Sequence, residues 1–89
     1  MTDAETWRFA QARKRIAQID RAVLDYCAQY NLPVRRVDSP PVATWVLAGT
    51  PAVRFTRADR GPDRLEVSEV GLLSSLRRLR SGHLVVDHG

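Results

Sequence analysis

The chain predicts an α+β fold: a long N-terminal amphipathic helix and a shorter C-terminal helix packed on a small antiparallel sheet of three or four strands, with residues 1–89 forming one domain. Three observations carry this expectation. Residues 2–30 contain no glycine or proline. Within them Phe9, Ala12, Ile16, Ile19, Val23, Tyr26 and Tyr30 recur at alternating steps of three and four, the spacing of one stripe on a helix. Residues 34–68 are short runs of strand formers broken by turn residues. Helical spacing then returns in Leu72, Leu73, Leu76 and Leu79.

The first helix is predicted over residues 3–30. Thr2 and Glu5 have the spacing of a capping box, and Asp3 and Glu5 suit the positive end of a helix dipole. Asn31 can take the left-handed conformation that ends a helix, and Pro33 cannot continue one. At 1.5 Å per residue such a helix reaches ~40 Å, whereas strands of ordinary length span ~17–20 Å. A sheet of that size covers about half of the apolar stripe. The remainder is expected to meet a second copy of the chain or another protein, since no proline or glycine marks a bend. The spacing also suits a coiled-coil seam.

Residues 32–37 read as a short extended piece, and Asp38-Ser39-Pro40-Pro41 as a linker held extended by its double proline. Residues 42–48 are rich in strand formers, Gly49-Thr50-Pro51 reads as a turn, and residues 52–57 place Val53 and Phe55 on one face with Arg54 and Thr56 on the other. These two runs form a hairpin. A second turn over 58–63, centred on Gly61-Pro62, leads to a third strand over 64–68 with Leu65 and Val67 inward. Ser68 is placed to cap a second helix over 69–81, and Gly82 to stop it. Residues 82–89 are a C-terminal strand or tail, with Leu84-Val85-Val86 as the apolar run. The expected arrangement is a meander with both helices on one face.

The net charge is +4, and it comes from thirteen arginines with a single lysine. Arginine suits bidentate contacts to phosphate and carboxylate, and the high isoelectric point fits a nucleic-acid binder if the charges cluster. One cysteine, Cys27, excludes an internal disulfide and leaves no cysteine set for zinc, which suits a reducing cytoplasm. No apolar stretch is long enough to span a membrane, and the acidic start does not read as a signal peptide, so a cytoplasmic protein is expected. No metal, cofactor or small-molecule substrate is expected. His83, Asp87 and His88 could pair as a base and its orienter, yet no nucleophile has a place beside them. Glycine-rich phosphate loops and hydrolase motifs are absent from the sequence. Cys27 lies near the stripe and reads as a small buried hydrophobe. No catalytic residue is therefore assigned.

Residues 13–28, Arg-Lys-Arg-Ile-Ala-Gln-Ile-Asp-Arg-Ala-Val-Leu-Asp-Tyr-Cys-Ala, resemble the first helix of the small helical chorismate mutases. The resemblance implies a long helix paired across a dimer, with Arg13 at the substrate-binding arginine. It covers these residues only. Pro33, Pro40, Pro41, Gly49 and Pro51 break the further helices that an all-helical family needs. The predicted order α-β-β-β-α is similar to that of double-stranded-RNA-binding domains, but Ser68-Glu69-Val70-Gly71 stands where that family has a lysine-rich helix start.

The function expected from these features is that of a small non-enzymatic binding protein acting stoichiometrically on a protein partner. It would be an inhibitor or adaptor of the kind phages and mobile elements encode, and a homodimer through its long helix. Trp7, Arg8, Arg13, Lys14 and Arg15 are the residues expected to meet the partner, because tryptophan and arginine are enriched where binding energy concentrates. The alternative is a basic DNA- or RNA-binding domain that contacts phosphates through Arg13, Lys14, Arg15, Arg35, Arg36, Arg54, Arg77, Arg78 and Arg80.

Overall fold

The computed structural model of the chain describes residues 3–79 and 84–88, with side chains except at positions 3–6, 8, 9 and 88. The capping residue Thr2, the histidine His83, the helix stop Gly82 and the arginine Arg80 lie outside the described residues, as do the side chains of Glu5, Arg8, Phe9 and His88.

Helix α1 (Asp3–Tyr30) forms where the periodicity places it. The molecule measures 42 × 22 × 19 Å, and a helix of this length accounts for roughly the whole long axis. Its end is set by Asn31, at φ 55°, while the Leu32 N–H donates to the Cys27 carbonyl across 2.8 Å. That bond belongs to a left-handed helix stop in which an apolar residue folds back on the last turn.

Five strands follow: β1 (Val34–Ser39), β2 (Val42–Leu47), β3 (Thr50–Thr56), β4 (Asp63–Val67) and, after helix α2 (Val70–Arg77), β5 (Leu84–His88). They form one sheet in the order β1-β2-β3-β4-β5. The first four strands pair antiparallel, and β5 runs parallel to β4. The sheet is thus mixed and five-stranded, where three or four antiparallel strands were expected. The parallel pair needs a crossover connection, and α2 supplies it. This order also departs from that of double-stranded-RNA-binding domains, and the sheet excludes an all-helical fold.

Three local expectations are corrected. The prolines Pro40 and Pro41, joined by a cis bond, do not extend a linker; they turn a tight hairpin between β1 and β2, whose closing pair is Ser39 and Val42. The turn between β2 and β3 is Ala48-Gly49, both at positive φ (50° and 83°), so Thr50 and Pro51 already belong to β3. Mirror-image two-residue turns need that backbone because their twist matches the flanking strands. The register shifts between Trp45 and Val46, opposite Pro51, the kind of irregularity that accommodates a strand proline. Finally, Glu69 and not Ser68 is the N-cap of α2, without a side-chain cap bond, and the helix ends at Arg77. The Ser68 N–H instead donates to the Ala52 carbonyl at 2.8 Å, which extends the sheet and leaves the cap to the next residue.

Alternation along the strands decides the core. Ala43, Trp45 and Leu47, then Val53 and Phe55, then Leu65 and Val67 turn toward the helices. Ala12, Ile19, Val23 and Cys27 of α1 and Leu72, Leu73 and Leu76 of α2 meet them. Gly71 brings α2 close to α1: a Cβ there would lie 2.9 Å from the Tyr26 ring. Among the described residues, no helix is long and apolar enough to cross a membrane.

Candidate protein-interaction site

Two contacts fix how α1 lies over the sheet. Arg15 meets Asp63, the first residue of β4, at 2.7 Å. Tyr26 packs on Gly71, just after β4 ends. The helix and β4 therefore run the same way, and the sheet begins level with Arg15. Ala12, one turn earlier, is still part of the core, and the helix N-terminal to it reaches the loop between β3 and β4, where Trp7 and Gln11 lie.

The N-terminal half of α1 carries a cleft on one flank and a groove on the other. Trp7, Gln11 and Arg15 lie one helical turn apart and line a cleft of about 430 Å³ with Arg57, Ala58, Gly61 and Asp63. Ala12 and Ile16 line a larger groove of about 680 Å³, open to solvent, with Pro40, Pro41, Val42, Ala43 and Phe55; Arg13, Asp38 and Arg57 stand at its rim. Trp7 is 57% exposed.

Asp63 is the buried carboxylate of this region. It accepts from Arg15 Nη1 and, at 2.9 Å, from the Ala58 N–H. It therefore ties the helix to the loop between β3 and β4. Further along the helix the Trp45 Nε1–H donates to Asp20 Oδ1 across 3.0 Å. Arg36 lies 3.9 Å from that carboxylate and 3.1 Å from Asp38. Burial pushes the Tyr26 phenol and the Cys27 thiol up from their ordinary values; for Tyr26 the neighbouring Glu69 carboxylate adds to it.

The structure separates the arginines. Arg13 and Lys14 are exposed, and neither enters an ion pair among the described residues. Arg15 is turned inward to Asp63, and Arg36 to Asp20 and Asp38. Arg35 and Arg54 lie on the helix-free face, with Arg54 opposite Glu66. Arg77 and Arg78 are exposed at the end of α2. The eight described positions of the nucleic-acid reading thus do not form one surface, and the ninth, Arg80, lies outside the described residues. Asp87, the candidate orienter of a histidine base, is taken by Arg64 at 2.6 Å. Among the described residues no group of three or more His, Cys, Asp or Glu side chains could hold a metal ion.

Sequence reasoning missed Asp63 and the Pro40-Pro41 wall of the groove. For Asp63 a signal was present: the alternation that turns Leu65 and Val67 inward turns position 63 inward too. Comparison with protein-family models, with curated proteins and with solved structures finds no match.

Proposed function

We propose that the chain is a non-enzymatic binding protein that engages a protein partner stoichiometrically, as an inhibitor or adaptor, through the N-terminal half of α1. One observation carries the reading: the N-terminal half of α1 bears a Trp7 that is more than half exposed on one flank and, on the other, an apolar groove lined by Ile16, Pro40, Pro41 and Phe55. Contiguous exposed apolar surface rimmed by charge is characteristic of protein-binding sites, and tryptophan and arginine are the anchors such sites favour. Arg13 and Arg57 outnumber Asp38 at the groove rim, and the exposed Lys14 adjoins Arg13 in sequence, which favours a partner surface bearing carboxylates. Arg15 supports the site from beneath through Asp63.

The test is reconstitution. A partner enriched on the wild-type chain is purified, and its stoichiometry and affinity are measured by calorimetry against the wild type and a Trp7→Ala, Arg13→Ala, Lys14→Ala variant. A fixed stoichiometry and an affinity loss of at least about 2 kcal/mol support the reading. Equal affinity for both proteins would place the site elsewhere.

A further inference from the structure

The outer edge of β1 fits a second copy of this chain, and we propose that two chains pair there, β1 against β1 and antiparallel, into one continuous sheet. This surface is distinct from the helix segment assigned to a protein partner, shares only Asp38 with its groove, and does not depend on that assignment.

β1 is an end strand of the sheet, and five of its six residues are exposed. No described strand lies on its outer side. The hydrogen-bonding parity of β1 is fixed at both ends. The Ala48 N–H donates to the Pro33 carbonyl at 2.9 Å, and Ser39 and Val42 close a two-residue turn. In an antiparallel ladder alternate residues bond to a given neighbour, so positions 33, 35, 37 and 39 bond to β2. Val34, Arg36 and Asp38 then present their N–H and C=O groups outward. Such an edge is a template for another strand.

The side chains choose the occupant and the register. Natural edges are commonly blunted by charged side chains, lysine above all, which no neutral strand can match. Here the outward residues Arg36 and Asp38 have opposite signs two positions apart, a pattern complementary to itself read backwards. With the twofold axis at Val37, Arg36 stands opposite the second copy's Asp38, and symmetry repeats the pair. Each pair can exchange both main-chain N–H···O bonds, because both residues point outward. Sliding the strands by two residues sets Arg36 against its own copy in one direction and Asp38 against its own copy in the other, each a like-charge contact that is unfavourable. Sliding by one sets outward-pointing groups against residues already bonded to β2, and the ladder fails.

The two faces also agree with this register. Arg36 and Asp38 pair across β2 with Trp45 and Ala43, and so lie on the helix-bearing face. There Arg36 already sits 3.1 Å from its own Asp38. Two copies would close these groups into a ring of alternating charge. On the other face Val37, 45% exposed, meets the second copy's Val37 at the axis. A β-branched pair directly opposite is a favourable cross-strand contact.

The experiment uses charge reversal in the full chain, read by sedimentation and light scattering over a wide concentration range. The wild type is expected to dimerise. Arg36→Glu and Asp38→Arg, each alone, juxtapose like charges in both pairs, and each should weaken self-association by at least about tenfold. Mixed in equal amounts, they regain opposite charges in both pairs and should form a heterodimer. Circular dichroism checks that each variant is folded. Amide exchange of the wild type gives a second readout that needs no variant: the Arg36 and Asp38 amides should gain protection as concentration rises. A wild type that stays monomeric, variants that dimerise like the wild type, a mixture that stays monomeric, or protection that appears along α1 in place of β1 would each overturn the proposal.

Discussion

Arg15 Nη1 and Asp63 Oδ2 meet at 2.7 Å with both side chains about nine-tenths buried, so the α1 segment beside the candidate site is pinned to the start of β4 by an ion pair that water barely reaches. Asp63 also accepts from the Ala58 N–H. Removing one partner of a buried ion pair is strongly destabilising, at ~3–5 kcal/mol. Asp63→Ala should therefore lower the unfolding free energy by about 3 kcal/mol, measured by urea unfolding. Arg15→Ala should also destabilise the fold, with the carboxylate keeping the Ala58 N–H as a donor. A double-mutant cycle should show clear coupling between them. A cost below about 1 kcal/mol for Asp63→Ala would mean that water has access to the pair.

Much of this fold was legible in the sequence. The helix stripe gave α1 its course, and the alternation at Val53, Phe55, Leu65 and Val67 gave the core faces of β3 and β4, because both signals are carried by many residues at once. What was not legible depended on few residues or on distant ones. The strand Leu84-Val85-Val86 is short, and its parallel pairing with β4 is visible only once α2 is seen as a crossover. Pro40 and Pro41 suit an extended linker or a tight turn equally well, and the pairing of the flanking strands decides. The candidate site was half visible. Trp7, Arg13 and Lys14 were legible as an exposed helix surface, whereas the role of Arg15 depends on Asp63, 48 positions away.

Ala48 holds φ 50° beside Gly49. An alanine in the left-handed region is disfavoured by roughly 1–2 kcal/mol, and the turn type prefers Asn-Gly. Ala48→Asn should stabilise the chain by about 0.5–1 kcal/mol, a rise of several degrees in melting temperature. Ala48→Val should do the reverse. If Ala48→Asn melts no higher than the wild type, the turn does not hold this conformation in solution.

The two tryptophans have opposite surroundings. Trp45 is fully buried and Trp7 is 57% exposed. Acrylamide should quench only the Trp7 emission, and Trp7→Phe should leave a blue-shifted, quencher-resistant signal from Trp45. Binding of a partner at the candidate site should then protect Trp7 from acrylamide. Quenching that is unchanged in a saturated complex would exclude Trp7 from the interface.

Burial pushes the Cys27 thiol up, and the sign of its linkage to stability follows. The folded chain holds the thiol proton to higher pH than the unfolded chain, whose cysteine ionises near ~8.5. Stability from this group is fully present below that pH and is lost as pH rises through the folded value. Tyr26, also raised, adds a fall of the same sign at higher pH. Cys27→Ala should flatten the first part of the alkaline decline. At neutral pH the native thiol should react with a disulfide reagent only as fast as the chain opens.

The nucleic-acid alternative makes a quantitative prediction of its own. If all nine basic residues contacted phosphates, the logarithm of affinity would fall with the logarithm of salt with a slope near −8 on duplex DNA, at about −0.9 per neutralised phosphate. The structure turns Arg15 and Arg36 onto carboxylates and sets Arg54 against Glu66, while Arg13 and Lys14 share one end of the helix. Anisotropy titrations of random-sequence duplex at ~50 and ~200 mM salt should therefore give a slope no steeper than about −2 to −4, with weak binding throughout. Arg13→Ala with Lys14→Ala should remove most of it and leave folding unchanged. A slope near −8 would mean that the carboxylate partners release their arginines to phosphate, and nucleic acid would then replace protein as the ligand of this surface.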